Sequence, residues 1–373
     1  MQAPAYRYSS RGILRIDLGA VRENYRTIKA RCANSTVAAV VKANAYGLGA
    51  EQIVRALVRE GCSSFFVASI DEAMLLREPF PDIEIMILNG FYQSAAELYH
   101  QHNLTPVLGS FSEIKDYRAL AQKEGKALPA ALHFNARMNR LGLGSVEAQE
   151  LFAHMGMLDG LSIKYVMGHF ACADEAGHEL NEIQYEAFSE IAEHFPDAKK
   201  SLSNSSGIFR DDKYHFDLVR PGMALYGLNP TPEMDNSMRP VVSLEVPVIR
   251  TRIVYTGAIV GYGATYRFDS DTPLATVSAG YADGLSWSMA NKGALYFKGY
   301  KCPVRGRVSM DLTTVDLSDV PEVERPRPGE YMEVLGAHQS ADDLAIAAGT
   351  IGYEILTSLG QRYERHYINE GAD

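Results

Sequence analysis

A lysine at position 42 lies in a segment whose residue types suit chemistry on a carbonyl compound. Val41–Gly49 reads VKANAYGLG and places Lys42 between the apolar run Val37–Val41 and a polar turn with two glycines. An amine that leaves a buried strand is partly desolvated, so its pKa falls toward the range where it attacks carbonyl groups. Tyr46 brings a phenol to the same turn, where the glycines let the backbone approach a ligand closely. Taken alone, the segment still fits an ordinary surface lysine better.

Four other apolar runs are also followed by polar residues. Arg140 lies in MNRLGLG, His169 in MGHFACADE, Asn204–Ser206 in SNSSG, and Arg220 in LVRPGMALYG. Each has a simple structural explanation, such as a buried histidine with its hydrogen bonds satisfied or an Arg-Pro-Gly turn. Side chains at the carboxyl ends of barrel strands gather on one face, so five such ends together predict a shared pocket.

Between about residues 19 and 235, short apolar runs alternate with amphipathic patterns. This alternation predicts the strands and helices on which the polar residues lie. Helical spacing occurs at Ala20–Arg31, Ala50–Glu60, Phe111–Gln122 and Leu180–His194. The alternation predicts an α/β fold with an N-terminal (β/α)8 TIM-like barrel over residues 12–235. A six-stranded doubly wound sheet is the alternative. The predicted strands are Val37–Val41, Phe65–Ala68, Ile85–Leu88, Thr105–Leu108, Ala130–Phe134, Ile163–Val166, Ser201–Leu202 and Leu218–Val219.

After Pro230 the pattern changes to alternating strands separated by turn residues. We predict a C-terminal, mostly β domain over residues 236–373 that also includes the N-terminal residues 1–11. An extra strand over Tyr8–Leu18 is predicted to join this domain. A short helix is predicted at Ala341–Gly349. The predicted strands of this domain are Val241–Thr256, Ala275–Val277, Ala294–Phe297, Thr314–Asp316 and Tyr331–Leu335.

Composition excludes several classes of partner. The chain of 373 residues is 46% hydrophobic and 22% charged, which is typical of globular proteins, and its net charge of −10 argues against binding nucleic acid. No apolar run approaches the ~20 residues that span a bilayer, and the N-terminus lacks the apolar core of a secretion signal, so we expect a cytoplasmic protein without a membrane partner. Cys32, Cys62, Cys172 and Cys302 are scattered, so neither a metal site nor a disulfide framework is expected.

Nine segments, in this order and spacing, resemble the PLP-dependent alanine racemases. They are VVKANAYGLG, MNRLGLG, GHFACADE, SNSSG, FDLVRPGMALYG, VGYGATYRF, GYADG, GRVSMDLTTVD and IGYEILTSLGQR. The similarity extends over nearly the whole chain, so it is more specific than any single motif. It implies a (β/α)8 barrel with a C-terminal β domain, and a homodimer whose active sites each take residues from both subunits.

The resemblance implies that Lys42 forms a Schiff base with pyridoxal 5'-phosphate. Arg220 would face the pyridine nitrogen and keep it unprotonated, since arginine has only donors, and His169 would orient Arg220. An unprotonated pyridine is a weaker electron sink, which disfavours side reactions. The phosphate and its surroundings would be bound by Tyr46, Asn204, Ser205, Tyr353 and the amides of Gly222 and Met223.

Racemisation needs two bases on opposite faces of the substrate. By resemblance these are Lys42 for the D-enantiomer and Tyr266 of VGYGATYRF, from the partner subunit, for the L-enantiomer. A free tyrosine has a pKa near ~10, so a cation or hydrogen bond must tune Tyr266. The resemblance suggests a chain from Tyr266 through His169 to Arg220. By itself, VGYGATYRF fits a glycine-rich turn with packed aromatic rings.

The resemblance also implies a small substrate site. Arg140 would anchor the substrate carboxylate and the phenolic oxygen of the cofactor, and the amides of Met310 and Asp311 would close the opposite side. Tyr353 and Met310 would leave room for about a methyl group. The residues expected in the entry corridor are Asp174, Tyr281 and Arg307.

One segment departs from the family pattern. Many members have Lys-x-Asp-Thr-Gly before the Met-x-Arg of this loop, and that lysine can be carbamylated to brace the arginine. Here residues 133–137 read HFNAR, so no lysine carbamate forms at His133. Asn135 could instead hold a chloride ion or a water against Arg140, and Arg137 adds a positive charge where glycine is usual.

Three alternatives compete with alanine racemisation. A racemase for serine or for many amino acids is one, because an apolar pocket rejects one added hydroxyl only weakly. A PLP decarboxylase for basic amino acids is disfavoured, since its glycine-rich phosphate segment and C-terminal catalytic cysteine are missing. A PLP carrier without enzymatic activity would lack the second domain. The sequence therefore predicts an alanine racemase that supplies D-alanine for peptidoglycan or allows its degradation.

Overall fold

A computed structural model of the protein describes residues 11–371. They form two compact units that divide after Gly19 and after Arg239. The barrel unit is residues 20–239, and the β unit combines the described residues on either side of it. Residues 1–10 of the predicted N-terminal strand lie outside the described residues.

The barrel unit is built on parallel strands in chain order, as predicted. One seven-stranded parallel sheet runs from β3 to β9, and β2 pairs in parallel with β10. Backbone hydrogen bonds link the chain at β9 to the chain at β10. Asp217 N donates to Lys200 O (3.1 Å), and Arg220 N donates to Ser203 O (3.0 Å). The strands are β2 (Thr36–Val37), β3 (Ala39–Val40), β4 (Ser64–Val67), β5 (Glu84–Ile87), β6 (Leu104–Leu108), β7 (Leu128–His133), β8 (Leu161–Met167), β9 (Lys199–Ser201) and β10 (Leu218–Val219), following β1 (Ile13–Asp17) in the β unit.

The barrel strands are buried on both faces, which explains their continuous apolar runs. Phe65, Phe66 and Val67 have no exposed surface, and neither do Ile85, Met86 and Ile87 of the next strand. Full burial of such a side chain contributes about 1.5–3 kcal/mol. This core fixes the strand ends, from which the polar residues project.

Helices follow most barrel strands. The four predicted helices are present, whereas α4, α5, α7 and α9 are short and were not predicted, and the short element α2 has left-handed backbone at Ala43–Tyr46. The helices are α1 (Leu18–Arg31), α2 (Lys42–Tyr46), α3 (Ala50–Arg59), α4 (Ile70–Arg77), α5 (Ala96–Gln101), α6 (Phe111–Glu124), α7 (Ser145–Ala153), α8 (Glu179–Glu193) and α9 (Ser205–Arg210).

The β unit contains an eight-stranded sheet with the order β16-β15-β18-β11-β1-β19, to which β14 is joined through β11 and β17 through β14. A separate hairpin pairs β12 with β13. Its elements are β11 (Val242–Val254), β12 (Ile259–Val260), β13 (Tyr266–Arg267), β14 (Thr272–Val277), β15 (Ala294–Phe297), β16 (Tyr300–Pro303), β17 (Thr313–Asp316), β18 (Tyr331–Leu335), β19 (Glu364–Ile368), α10 (Ala341–Ala348) and α11 (Gly352–Thr357).

Strand β1 belongs to the β unit by its hydrogen bonds. It pairs antiparallel with β11, where Ile13 lies opposite Glu245, and parallel with β19, where Ile13 lies opposite Glu364. This strand corresponds to the one predicted over Tyr8–Leu18, and it joins the β unit as expected, whereas the predicted barrel range began at residue 12. Residues 298–302 have a turn-like composition, yet Tyr300–Pro303 form β16, and β19 was not predicted.

The described residues contain no helix that is both long and apolar enough to cross a bilayer. Within residues 11–371, no group of three or more His, Cys, Asp or Glu side chains is arranged to hold a metal ion. Cys32, Cys62, Cys172 and Cys302 are free thiols.

Candidate active site

Lys42 follows β3 and opens a turn of left-handed backbone. Ala43, Asn44, Ala45 and Tyr46 have φ values of 54°, 54°, 52° and 55°. This conformation costs an L-residue about 1–2 kcal/mol, so four in succession store strain that the surrounding structure must hold. The sequence did not predict this turn.

A carboxylate and a side-chain amide hold the turn in place. Glu72 of α4 accepts hydrogen bonds from Ala43 N (2.6 Å) and from Ala68 N (2.8 Å). Asn44 Oδ1 accepts one from Ala50 N (2.8 Å), which ties the turn to the start of α3. These contacts fix the direction in which the preceding lysine leaves the barrel strand.

The amine of Lys42 is half-buried in an electropositive region. Burial is the main cause that lowers the pKa of Lys42, and the charge of Arg140 acts in the same direction. Glu72 opposes both by favouring the charged amine. The net direction is the one expected for a lysine that serves as a nucleophile or base.

Arg220 is buried, with 5% of its surface exposed, and is held by the barrel itself. Its Nη1 donates to Ser201 Oγ, and its Nη2 donates to Gly168 O (2.7 Å) and lies 3.2 Å from His169 Nδ1. Burial lowers the pKa of Arg220 to about 10, so it stays charged at neutral pH. Within the described part of the chain its Nε donates to no acceptor.

Two histidines near Arg220 are neutral. Burial, reinforced by Arg220 and Arg140, holds the pKa of His169 well below its usual value of 6.5. The same causes lower the pKa of His133 to about 4. At neutral pH the positive charge near Arg220 therefore resides on guanidinium groups and not on the two imidazoles.

Hydroxyl and amide groups cluster where β9 and β10 end. Ser205 Oγ accepts from Gly222 N (2.9 Å) and from Ala224 N (3.3 Å). A Cβ at position 222 would lie 2.3 Å from Tyr46 Oη, so glycine is required there for the phenol to approach. The ring of Tyr46 lies 4.6 Å from that of Tyr226, centroid to centroid. The group has the donors that an anion prefers.

Two other predicted cofactor residues border this cluster. Asn204 Oδ1 accepts from Gly207 N (3.0 Å) and caps α9. Met223 is buried and begins the 3-10 turn Met223–Tyr226. Both therefore shape the backbone on which Ser205 and Gly222 lie.

Arg140 is exposed and lies in the loop between β7 and α7. Asn135 and Asn139 brace this loop by a reciprocal pair, with Asn135 Nδ2 donating to Asn139 Oδ1 and Asn139 N donating to Asn135 Oδ1, each at 2.8 Å. The φ values of Arg137 and Asn139 are 66° and 55°. Asn135 thus has a structural partner, and the predicted chloride stays a prediction.

In the β unit, Tyr266 starts β13 and is half-buried. Its ring meets Phe268 edge-on, with centroids 4.9 Å apart, and the Arg305 guanidinium lies 4.7 Å from the ring centroid. Asp316 holds Arg305 through a bond of 3.1 Å from Nε. A cation therefore faces the ring of the predicted base, and the sequence had not indicated it.

The other predicted site residues of the β unit, Met310, Asp311 and Tyr353, are exposed to different extents. Met310 is 54% exposed, and Tyr353 of α11 is 36% exposed. Asp311 pairs with Arg362 at 2.7 Å, and Arg362 also contacts both carboxylate oxygens of Asp283 at 2.6 and 2.7 Å. Arg362 thus ties the loop at 310–311 to the turn after Gly280.

The three predicted corridor residues have separate settings. Tyr281 is 46% exposed and its backbone N–H donates to Ser309 O (3.0 Å). Arg307 lies over the ring of Trp287 at 5.4 Å. Asp174 is in the barrel unit, where its carbonyl accepts from Arg210 Nη2 (2.6 Å).

Comparison with known proteins accounts for both units. Residues 16–230 match the family model described as alanine racemase, N-terminal domain, and residues 241–367 match the C-terminal domain model. The chain belongs to the alanine racemase family. It is 47% identical to "Alanine racemase, catabolic" of Mesorhizobium japonicum, over 98% of this chain and 95% of the relative, and 45% identical to the protein of the same name from Agrobacterium fabrum, over 96% and 93%.

A solved alanine racemase has the same fold. The crystal structure from Bartonella henselae, with covalently bound pyridoxal phosphate, superposes with a TM-score of 0.93 at 41% identity, covering 96% of this chain and 99% of that one. The resemblance inferred from the nine segments is confirmed, as are the barrel and the separate β domain.

For an alanine racemase, the sequence missed several residues that support the site. Glu72 had a signal, because Ser69 three positions earlier makes a capping pattern. Arg362 lay inside a segment already singled out. Two others carried no local signal, because their contacts are with residues distant in the chain. Gln184 of α8 donates to Ala136 O, and Arg305 lies over the ring of Tyr266.

Proposed function

We propose that the protein is an alanine racemase that interconverts L- and D-alanine, using pyridoxal 5'-phosphate on Lys42. The observation that carries most weight is the buried Arg220, charged and with a free Nε, in the same electropositive group as the desolvated amine of Lys42. Membership of the alanine racemase family supports the same reaction.

The residues present fit the cofactor. Lys42 would hold it covalently through Nζ, and Tyr46, Ser205 and the amides around Gly222 would bind its phosphate. The Nε of Arg220 would meet the ring nitrogen, and because the guanidinium keeps its proton, that nitrogen accepts rather than donates. When bound, the cofactor acidifies the Cα–H of an attached amino acid by delocalising negative charge into its ring.

Two side chains then move the proton. Once the substrate amine has taken its place on the cofactor, the released Lys42 Nζ would take the proton from, or return it to, Cα on one face, which its lowered pKa favours. Tyr266 Oη of a second copy of the chain would do so on the other face, and the Arg305 cation over its ring helps to hold the ring in place. Arg140 binds the substrate carboxylate, while Met310, Asp311 and Tyr353 limit the side chain to a methyl group.

The proposed homodimer is supported by apolar side chains that the β unit exposes. Tyr255 and Tyr262 are 72% and 73% exposed, and Ile253, Ile259 and Trp287 are each more than half exposed. Large exposed apolar side chains of this kind mark protein contacts when they occur in groups. Several flank the hairpin of Tyr266, the residue that a second copy would contribute.

The decisive experiment measures exchange of the Cα proton for deuterium in D2O with alanine, serine, lysine and arginine. We expect both enantiomers of alanine to exchange and to racemise, each with a higher kcat/KM than the other amino acids. A higher value for serine would support the alternative of a serine or broad-specificity racemase. No exchange with any of them would refute the proposal.

The cellular setting is also a proposal. Four free thiols suit the reducing cytoplasm. The two relatives above are named catabolic, which favours a role in degrading D-alanine. An experiment can distinguish this role from the supply of D-alanine. A deletion strain that needs added D-alanine would indicate the supply of peptidoglycan, and one that fails to grow on D-alanine would indicate its degradation.

A further inference from the structure

One buried side chain outside the proposed catalytic group connects two of its loops. Gln184, on α8, has no exposed surface. Its Oε1 accepts from Ala171 N (2.9 Å), and its Nε2 donates to His169 O (2.9 Å) and to Ala136 O (2.5 Å). Both N–H groups and one oxygen position are used, so the orientation of the amide is determined.

The three contacts reach the backbone at two different strand ends. His169 and Ala171 follow β8, and His169 contacts Arg220 through its ring. Ala136 follows β7, in the loop that carries Arg140 four residues later. Gln184 therefore bonds both to the loop that carries the exposed Arg140 and to the loop in which His169 contacts the buried Arg220.

Two neighbouring side chains hold the β8 loop differently. Asn181, one turn earlier on α8, donates to Cys172 O (3.1 Å) and to Glu175 O (3.2 Å). Arg210 donates to Ala173 O (2.6 Å) and to Asp174 O. Neither contacts the loop of Arg140 among the residues described, so Gln184 alone of the three joins the two loops.

We propose that Gln184 is a positioning residue that fixes Arg140 relative to the His169–Arg220 pair. Without its donors, the carbonyls of Ala136 and His169 lose their common partner, and the two loops move independently. Arg140 would then bind a carboxylate in more than one orientation, which weakens substrate binding more than it slows the chemical step. The consequence for substrate binding rests on the proposed function, whereas the coupling of the loops does not.

Gln184→Met tests the coupling, because methionine has a similar length and makes none of the three bonds. Amide hydrogen exchange of the purified protein should accelerate about tenfold or more in both loops, residues 136–140 and 169–171. The matched control is Asn181→Leu, which removes a buried amide of the same helix. It should accelerate exchange only around residues 172–175.

Kinetics test the consequence for the site. Gln184→Met should raise the KM for alanine about tenfold with a smaller change in kcat, and Asn181→Leu should change KM less than about twofold. In a double-mutant cycle with Arg140→Lys, the KM effects should not add, because both variants disturb the same contact. Additive effects, or a KM unchanged in Gln184→Met, would overturn the positioning role.

Gln184→Glu covers the case in which the methionine variant does not fold. The carboxylate can accept from Ala171 N but donates to neither carbonyl, so exchange should accelerate at residues 136–140. Exchange that accelerates only at residues 169–171 would show that the loops are not coupled. If the wild-type protein did not racemise alanine, the proposed function would fail while the exchange result still decided the coupling.

Discussion

The polar residues of the barrel unit are held by their own chain, whereas those of the β unit face outward. Arg220 is buried among three acceptors and a histidine, and the turn after Lys42 is tied down by Glu72. Among the residues that the structure describes, the side chain of Tyr266 makes ring contacts with Phe268 and Arg305, and Met310 is more than half exposed. The barrel thus carries a preorganised cationic site, whereas the predicted site residues of the β unit are less constrained by their own chain.

The largest effect should come from the barrel group. Lys42→Ala should abolish racemisation, by at least about 10³-fold, and remove the absorbance of covalently bound pyridoxal phosphate, because the nucleophilic amine is gone. Lys29→Ala, in exposed surface on α1, is the control and should leave both unchanged. Retention of the absorbance band in Lys42→Ala would remove this lysine from the site.

Mixing two inactive variants tests whether the two groups act together across copies. Tyr266→Phe should bind the cofactor normally but racemise alanine much more slowly. Because the two enantiomers are equally stable, kcat/KM should fall by the same factor in both directions. Exchanging subunits between Lys42→Ala and Tyr266→Phe should restore up to about a quarter of wild-type activity, because mixed dimers contain one intact site. If no activity returned while mixed dimers formed, each site would draw both residues from one chain.

Acid should destabilise the barrel more than the β unit. Burial and two arginines lower the pKa of His133 to about 4, so between about pH 6.5 and 4 its unfolded form binds a proton that the folded form does not. Stability from this group is therefore present above pH 6.5 and is lost as the pH falls toward 4, by about 2–3 kcal/mol.

His133→Asn should flatten this dependence. Urea unfolding of the wild-type protein and the variant between pH 7 and 4 measures it, with His338→Asn in the β unit as the control. His338 is exposed and lies outside the barrel group, so its substitution is a matched change of histidine to asparagine in the other unit. Equal slopes in the wild-type protein and His133→Asn would show that the pKa of His133 does not differ between the folded and unfolded protein.

The sequence predicted what depends on local pattern. Lys42 and Arg220 follow apolar strands, so their place at the barrel mouth could be inferred from the alternation alone, and the nine segments named the family. The left-handed turn could not be predicted, since alanine at 43 and 45 disfavours this conformation and one of the side chains that hold the turn, Glu72, is distant in the chain. Gln184 bonds to residues 15 and 48 positions away, a separation that no periodicity reveals.

Arg305 was missed for the same reason, because its contact with Tyr266 joins residues that are distant in the chain. Arg305→Met should lower kcat/KM about tenfold, because a partly desolvated cation–π contact contributes about 1–2 kcal/mol to holding the ring of Tyr266 in place. Arg305→Lys keeps a positive charge that can still pair with Asp316, so its kcat/KM should fall less than that of Arg305→Met.

The direction of the defect identifies the base that Arg305 serves. When removal of the proton by Tyr266 becomes slower, the primary deuterium isotope effect should rise more for L-alanine than for D-alanine, whose proton we propose that Lys42 removes. Equal isotope effects for both enantiomers would show that Arg305 does not act through Tyr266.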